Sequence, residues 1–185
     1  TPLEAADAPT LRLLAGAGGQ GQLRTAVGEG TPDTAMGLSA LLTERVDQRV
    51  GRGLLEALGN GLPLHPQMIL WRGNLATMDD DGVIVDRRAG RIRTGTAGLL
   101  SELAQVPLPG GIMGHVFPGH EHRVVVALKA PDLSPAVSDS DPGMHSVLDH
   151  AQPIRPLDDS SGAARTAAAL THLMEVARQV LRGNP

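Results

Sequence analysis

His122–Lys129 reads HRVVVALK, three successive valines followed by Ala and Leu with turn signals on both sides. β-Branched residues suit the pleated, half-buried surface of a sheet, so this is the strongest strand in the chain. Two more strand-like runs lie upstream, MILWRGNLAT at 68–77 and GVIVDRR at 82–88. Only the acidic turn MDDDG separates them, so together they read as a hairpin with an acidic tip. TAGLLSELAQV at 96–106 restores a helical period and stops at Pro107. The run from Ser160 to Pro185 is a clear helix: Ser160 or Ser161 caps it, Ala163, Ala167, Leu170, Met174, Ala177 and Leu181 form an apolar stripe, and Gly183 ends it. Between the last strand and this helix lies a Pro-, Asp- and Ser-rich loop, APDLSPAVSDSDPGMHS, the best place for an irregular functional segment. The expected fold is α/β, a mixed sheet of about four strands flanked by the 96–106 helix and the C-terminal helix.

The first third is helical and glycine-rich. Thr1 reads as an N-cap with Pro2 at the first helical position and Glu4 completing a capping box. Pro9 interrupts this, leaving a second piece, TLRLLAGAG, that ends at Gly16 or Gly18. Residues 16–32 form a loop, TAMGLSALLTERV returns to helix, and GRGLLEALGNGLPL is a short helix bracketed by glycines. GAGGQG at 16–21 follows a helix rather than a strand, so it is a cap and turn, not a nucleotide loop.

A chain of 185 residues with one Phe, one Trp and no Tyr builds its core from aliphatic side chains. The absence of Cys rules out disulfides and thiolate chemistry and leaves the cytoplasm as the default compartment. No apolar run approaches the ~18 residues of a membrane span. A net charge of −4 and so few aromatics argue against a nucleic-acid partner. Against that acidic background, DRRAGR at 86–91 gathers three arginines within five residues, with Arg93 just beyond. Arg72 and the HEHR run at 120–123 add to the cationic set, and SDSDP at 138–142 is a further charged loop. A guanidinium fork matches carboxylate or phosphate, and several arginines in one pocket repel one another until an anion arrives. The plainer alternative pairs Arg87 and Arg88 with Asp79, Asp80 and Asp81 across the hairpin as solvated bridges.

His115, His120 and His122 raise the question of a metal. His120 and His122 share a strand face if the strand reaches back that far, but Glu121 then points away and no fourth ligand is near. His122 beside Arg123 reads better as a second anion contact. The serines lie in loops without a Gly-x-Ser-x-Gly elbow, so no nucleophilic triad is supported.

Taken in order, TPLEAADAPTLRLLA, PDTAMGLSALL, GRGLLEALGNGLPL, WRGNLAT, GVIVDRRAGRI, HEHRVVVAL, DSDP and RTAAALTHLMEVARQVL resemble the archaeal-type, cofactor-independent phosphoglycerate mutases of the alkaline phosphatase superfamily. The resemblance implies a division into a helical remnant of the phosphatase-like core (1–60), an insert-like substrate-binding domain (61–156) and a C-terminal helix (157–185). It implies that Arg72, Asp86, Arg87, Arg88, Arg91, His122 and Arg123 grip the phosphate and carboxylate of a small metabolite such as phosphoglycerate. In that family a serine carries the phosphoryl group between hydroxyls beside two divalent metals, Mn or Mg.

The departures shape the expected function. Where the family has Gly-Ser-Asp-Thr-Ala, this chain has Thr31-Pro32-Asp33-Thr34-Ala35, so Pro32 stands in the nucleophile's place and Thr31 is a substitute only by a one-residue slip. The family's Asp-Gly strand before TPLEAA, and the C-terminal half with most metal ligands and a lysine, are not in this sequence, and Thr1 without Met leaves room for residues upstream. The expectations are therefore no metal held by this chain, no mutase turnover in isolation, and a binding module for a phosphorylated or carboxylated metabolite. The alternative is an interaction module, as a homodimer or with a complementary chain, in which the terminal helices bury their stripes on a partner.

Overall fold

The computed structural model describes residues 5–19, 21, 34, 37–38, 51–143 and 149–182. The chain divides into two units, residues 1–49 and 50–185. In the first, helix α1 (Pro9–Ala17) starts with Pro at its first turn, where a missing N–H is harmless. Gly18 closes it by donating its N–H to the Leu14 carbonyl at 2.9 Å, matching the end read from the glycines. The Thr1 capping box, Thr31, Pro32 and most of TAMGLSALLTERV lie outside the described residues.

The second unit holds a four-stranded sheet in the order β1–β6–β5–β4: β1 Met68–Asn74, β4 Val106–Leu108, β5 Ile112–Pro118 and β6 Arg123–Lys129. The α/β architecture with four strands is as expected. The sheet expected to be mixed is antiparallel in all its pairs.

The expected hairpin is different in kind. β1 pairs with β6, from Met68 opposite Lys129 to Asn74 opposite Arg123. The acidic tip instead closes β2 (Thr77–Met78) on β3 (Val83–Asp86), and these join β7 (Asp149–His150) in a second, three-stranded sheet. Asp79 explains the tight turn: its Oδ1 accepts the N–H groups of Asp81 and Val83 at 3.1 and 2.8 Å.

The 96–106 segment is also corrected. Helix α3 covers only Thr96–Leu99; a single tight turn follows at Ser101–Leu103, and Val106 begins β4. A residue before proline is driven to extended backbone, and Val106 precedes Pro107. Leu100 and Leu103, the apolar positions behind the helical reading, are 2% and 0% exposed in the core.

Register and pleat give the sheet its two faces. Val106, Leu108, Ile112, Val116, Val124 and Leu128 face helix α4 (Ser161–Leu181) and form the core with Ala169, Leu170 and Leu173. Ser160 caps α4, its Oγ accepting the Ala163 N–H at 3.1 Å. Gly183 lies outside the described residues; the helix runs to Leu181. Val125 and Ala127 alternate to the other face and are also fully buried. Helix α2 (Arg52–Gly59) packs on β1 and β6, with Gly53 so close to β1 that a Cβ there would stand 2.4 Å from the Leu70 carbonyl oxygen. Among the described residues no helix is long and apolar enough to cross a membrane.

Candidate anion-binding corner

The corner is built where β1 ends, β6 begins and β3 runs out. The β5–β6 turn, Gly119 to His122, is clasped by the Gly119 N–H on the Arg123 carbonyl at 2.9 Å, and Glu121 takes φ 57° at its tip. The Leu75 N–H donates to the His122 carbonyl at 2.7 Å, carrying the β1–β6 pairing one step past its end. That bond fixes His122 over the end of β1. Asn74 stands opposite Arg123 and Arg72 opposite Val125, so Arg72, Asn74 and Arg123 belong to one face.

The arginine loop reaches this corner through an unusual turn. Ala89, Gly90 and Arg91 are all left-handed, with φ of 44°, 62° and 56°. Only glycine adopts such backbone without strain, so two of the three are held against their preference. Asp86 holds them. One carboxylate oxygen accepts the Arg88 N–H at 2.8 Å and the other accepts the Gly90 N–H at 2.7 Å. Those two bonds, with smaller help from His122 and Arg88, keep the Asp86 carboxyl below its usual range despite some desolvation.

His122 is 8% exposed, and its Nδ1 is buried without a hydrogen-bond partner. Burial is the main reason its imidazolium is disfavoured; Arg123, Arg88 and Arg91 add to this and Glu121 opposes it. The charges of Arg88, Arg91 and Arg123 thus reach His122, and those of His122 and Arg88 reach Asp86. Arg87 turns elsewhere, to an ion pair with Asp141. Burial pushes the Asp141 carboxyl upward, but the Arg87 hydrogen bond, the Gly143 N–H and the Arg87 charge together hold it below its usual range. The bridges to Asp79, Asp80 and Asp81 are therefore replaced for Arg87 by one to a different loop.

The histidines separate. The strand starts at Arg123, so His120 and His122 share no strand face; His120 is exposed beside Glu121, at 3.9 Å. His115 lies on β5, its Nδ1 2.8 Å from the Ala104 carbonyl oxygen and its ring stacked on Phe117. Among the described residues no three His, Asp or Glu side chains stand close enough to hold a metal ion.

Reading residue types alone passed over two contributors: Asp141, which lay inside the noted SDSDP run, and Glu121, which faces Arg93 at 3.8 Å. Their only signal was charge of opposite sign near the arginines.

These features define a small α/β domain in which an antiparallel sheet carries an electropositive corner. The family model for 2,3-bisphosphoglycerate-independent phosphoglycerate mutase matches residues 15–185. A phosphoglycerate mutase of that name from Methanocorpusculum labreanum is 40% identical over all of this chain and 46% of its own length. Its counterpart from Thermoplasma volcanium is 36% identical over all of this chain and 44% of its own. The cofactor-independent phosphoglycerate mutase from Thermoplasma acidophilum superposes with a TM-score of 0.63 at 39% identity, covering 72% of this chain and 35% of that one. The chain belongs to the 2,3-bisphosphoglycerate-independent phosphoglycerate mutase family. It spans less than half the length of these curated relatives.

Proposed function

We propose that this chain binds a small phosphorylated carboxylic acid, phosphoglycerate being the type, at the corner formed by Arg72, Arg88, Arg91, His122 and Arg123, with Arg87 at its margin. The observation that supports the reading is the Asp86 turn, which commits both carboxylate oxygens to the backbone of the loop carrying Arg88 and Arg91, whose charges reach His122. Left-handed strain at non-glycine residues concentrates where a loop must present side chains in one geometry. A phosphate offers the acceptors that a set of guanidinium groups needs, and its charge relieves their repulsion. Asp86 then acts as a positioning residue rather than as a ligand contact.

Position 32, where the resemblance places a nucleophilic serine, is proline, which has no group to attack phosphorus. The proposed role is therefore to hold the metabolite in the cytoplasm without transferring its phosphoryl group from that position. Calorimetric titration with 3-phosphoglycerate tests the binding; Arg123→Ala should weaken it tenfold or more.

A second reading, an interaction or dimer module, is favoured by α1, where Leu11, Leu13 and Leu14 are 52%, 72% and 61% exposed. Sedimentation of the chain across a concentration series tests it, and a monomer at every concentration would count against the dimer.

A further inference from the structure

Arg87 and Asp141 are 54 residues apart in sequence, yet the Asp141 carboxylate accepts a hydrogen bond from one terminal nitrogen of the Arg87 guanidinium. The Arg87 side chain is 32% exposed, while its Nε is buried and has no partner. One edge of the fork is satisfied and another is dry and unpaired, which is unfavourable for so polar a group. Asp141 is itself held in place: its second oxygen accepts the Gly143 N–H at 2.9 Å, with Gly143 at φ 94°. A carboxylate tethered to the arginine next in sequence to Arg88 has the chemistry of the ligand's own anionic group.

We propose that Asp141 is an internal competitor for the bound anion, holding Arg87 in the free chain and yielding it when a phosphorylated carboxylate arrives. The inference rests on the reading of the corner as an anion site. The exchange favours a phosphate monoester over a simple carboxylate: a carboxylate replaces Asp141 like for like, whereas a phosphate has an additional acceptor oxygen and carries up to two charges. Partly exposed ion pairs are weak, so such a competitor is displaced at modest cost.

The test is calorimetric titration of the full chain with 3-phosphoglycerate, comparing wild type, Asp141→Asn and Asp139→Asn. Asparagine keeps the shape of Asp141 and an acceptor for Gly143, and a matching unfolding midpoint verifies the fold. Asp141→Asn should bind about two- to fivefold more tightly. Asp139→Asn, which removes the same charge two residues away, should bind as wild type does. Weaker or unchanged binding by Asp141→Asn overturns the competitor and leaves the anion site standing, and so does an equal gain in Asp139→Asn. No binding by any of the three chains overturns both.

Discussion

Asn74 at the end of β1 stands directly opposite Arg123 at the start of β6, and one residue further on the Leu75 N–H bonds the His122 carbonyl at 2.7 Å. The last pair of the sheet thus anchors two of the residues proposed to hold the ligand. A sheet end is a rigid mount, and rigidity is what turns a set of charges into a geometry.

Asp86 should matter to binding without touching the ligand. Asp86→Ala releases the Arg88 and Gly90 N–H groups and with them the left-handed turn. Affinity for 3-phosphoglycerate is expected to fall about tenfold, with little change in global stability, since each bond is at the surface. Denaturant unfolding and titration of the same sample separate the two effects. Unchanged affinity would remove Asp86 from the account.

Ala89 offers a backbone test. At φ 44° the alanine is strained, so Ala89→Gly should be neutral or stabilising by up to about 1 kcal/mol. The same change at Ala167, buried within α4, should cost about 1 kcal/mol or more from helix propensity alone. Thermal unfolding of the two variants should shift in opposite directions, or Ala89→Gly not at all.

Gly53 is predicted to tolerate no side chain. An alanine Cβ would stand 2.4 Å from the Leu70 oxygen and 2.6 Å from the Trp71 Cα, both backbone atoms of β1. The gain in helix propensity, about 1 kcal/mol, is outweighed by forcing α2 off the sheet, so a net loss of about 1–3 kcal/mol is expected in urea unfolding.

His122 links stability to pH. Its folded value lies below the usual 6.5, chiefly because it is buried, so the unfolded chain binds the proton more readily. The contribution to stability is present above that unfolded value and is lost as pH falls through it toward the folded one. Wild type should lose stability relative to His122→Gln as pH falls below about 6.5. The lowered carboxyls of Asp86 and Asp141 act further down: their contribution is present above their unfolded value of 3.8 and lost as pH falls through the folded one.

Sequence made some of this legible and hid the rest for physical reasons. The valines of β6 and the cap and stripe of α4 were clear because local preference and burial agree there. Strand β5 was not foreseen: it is central, buried on both faces and interrupted by Gly114, so it shows no alternation to read. The hairpin was misread because proximity in sequence favoured pairing 68–77 with 82–88, whereas β1 buries Trp71 against the core by joining β6. At the site, residue type pointed to the arginines. Their sorting did not, because Arg88 and Arg91 are carried on a turn whose backbone Asp86 holds, and Arg87 is claimed by a residue 54 positions away.

The most direct measurement is titration of the purified chain with 3-phosphoglycerate at low salt, alongside Arg88→Ala and Arg123→Ala. The account predicts saturable binding that weakens as salt is added and falls tenfold or more in either variant. A wild-type chain that gives no saturable heat, or variants that bind as well as it does, would contradict the claim that this corner is an anion site.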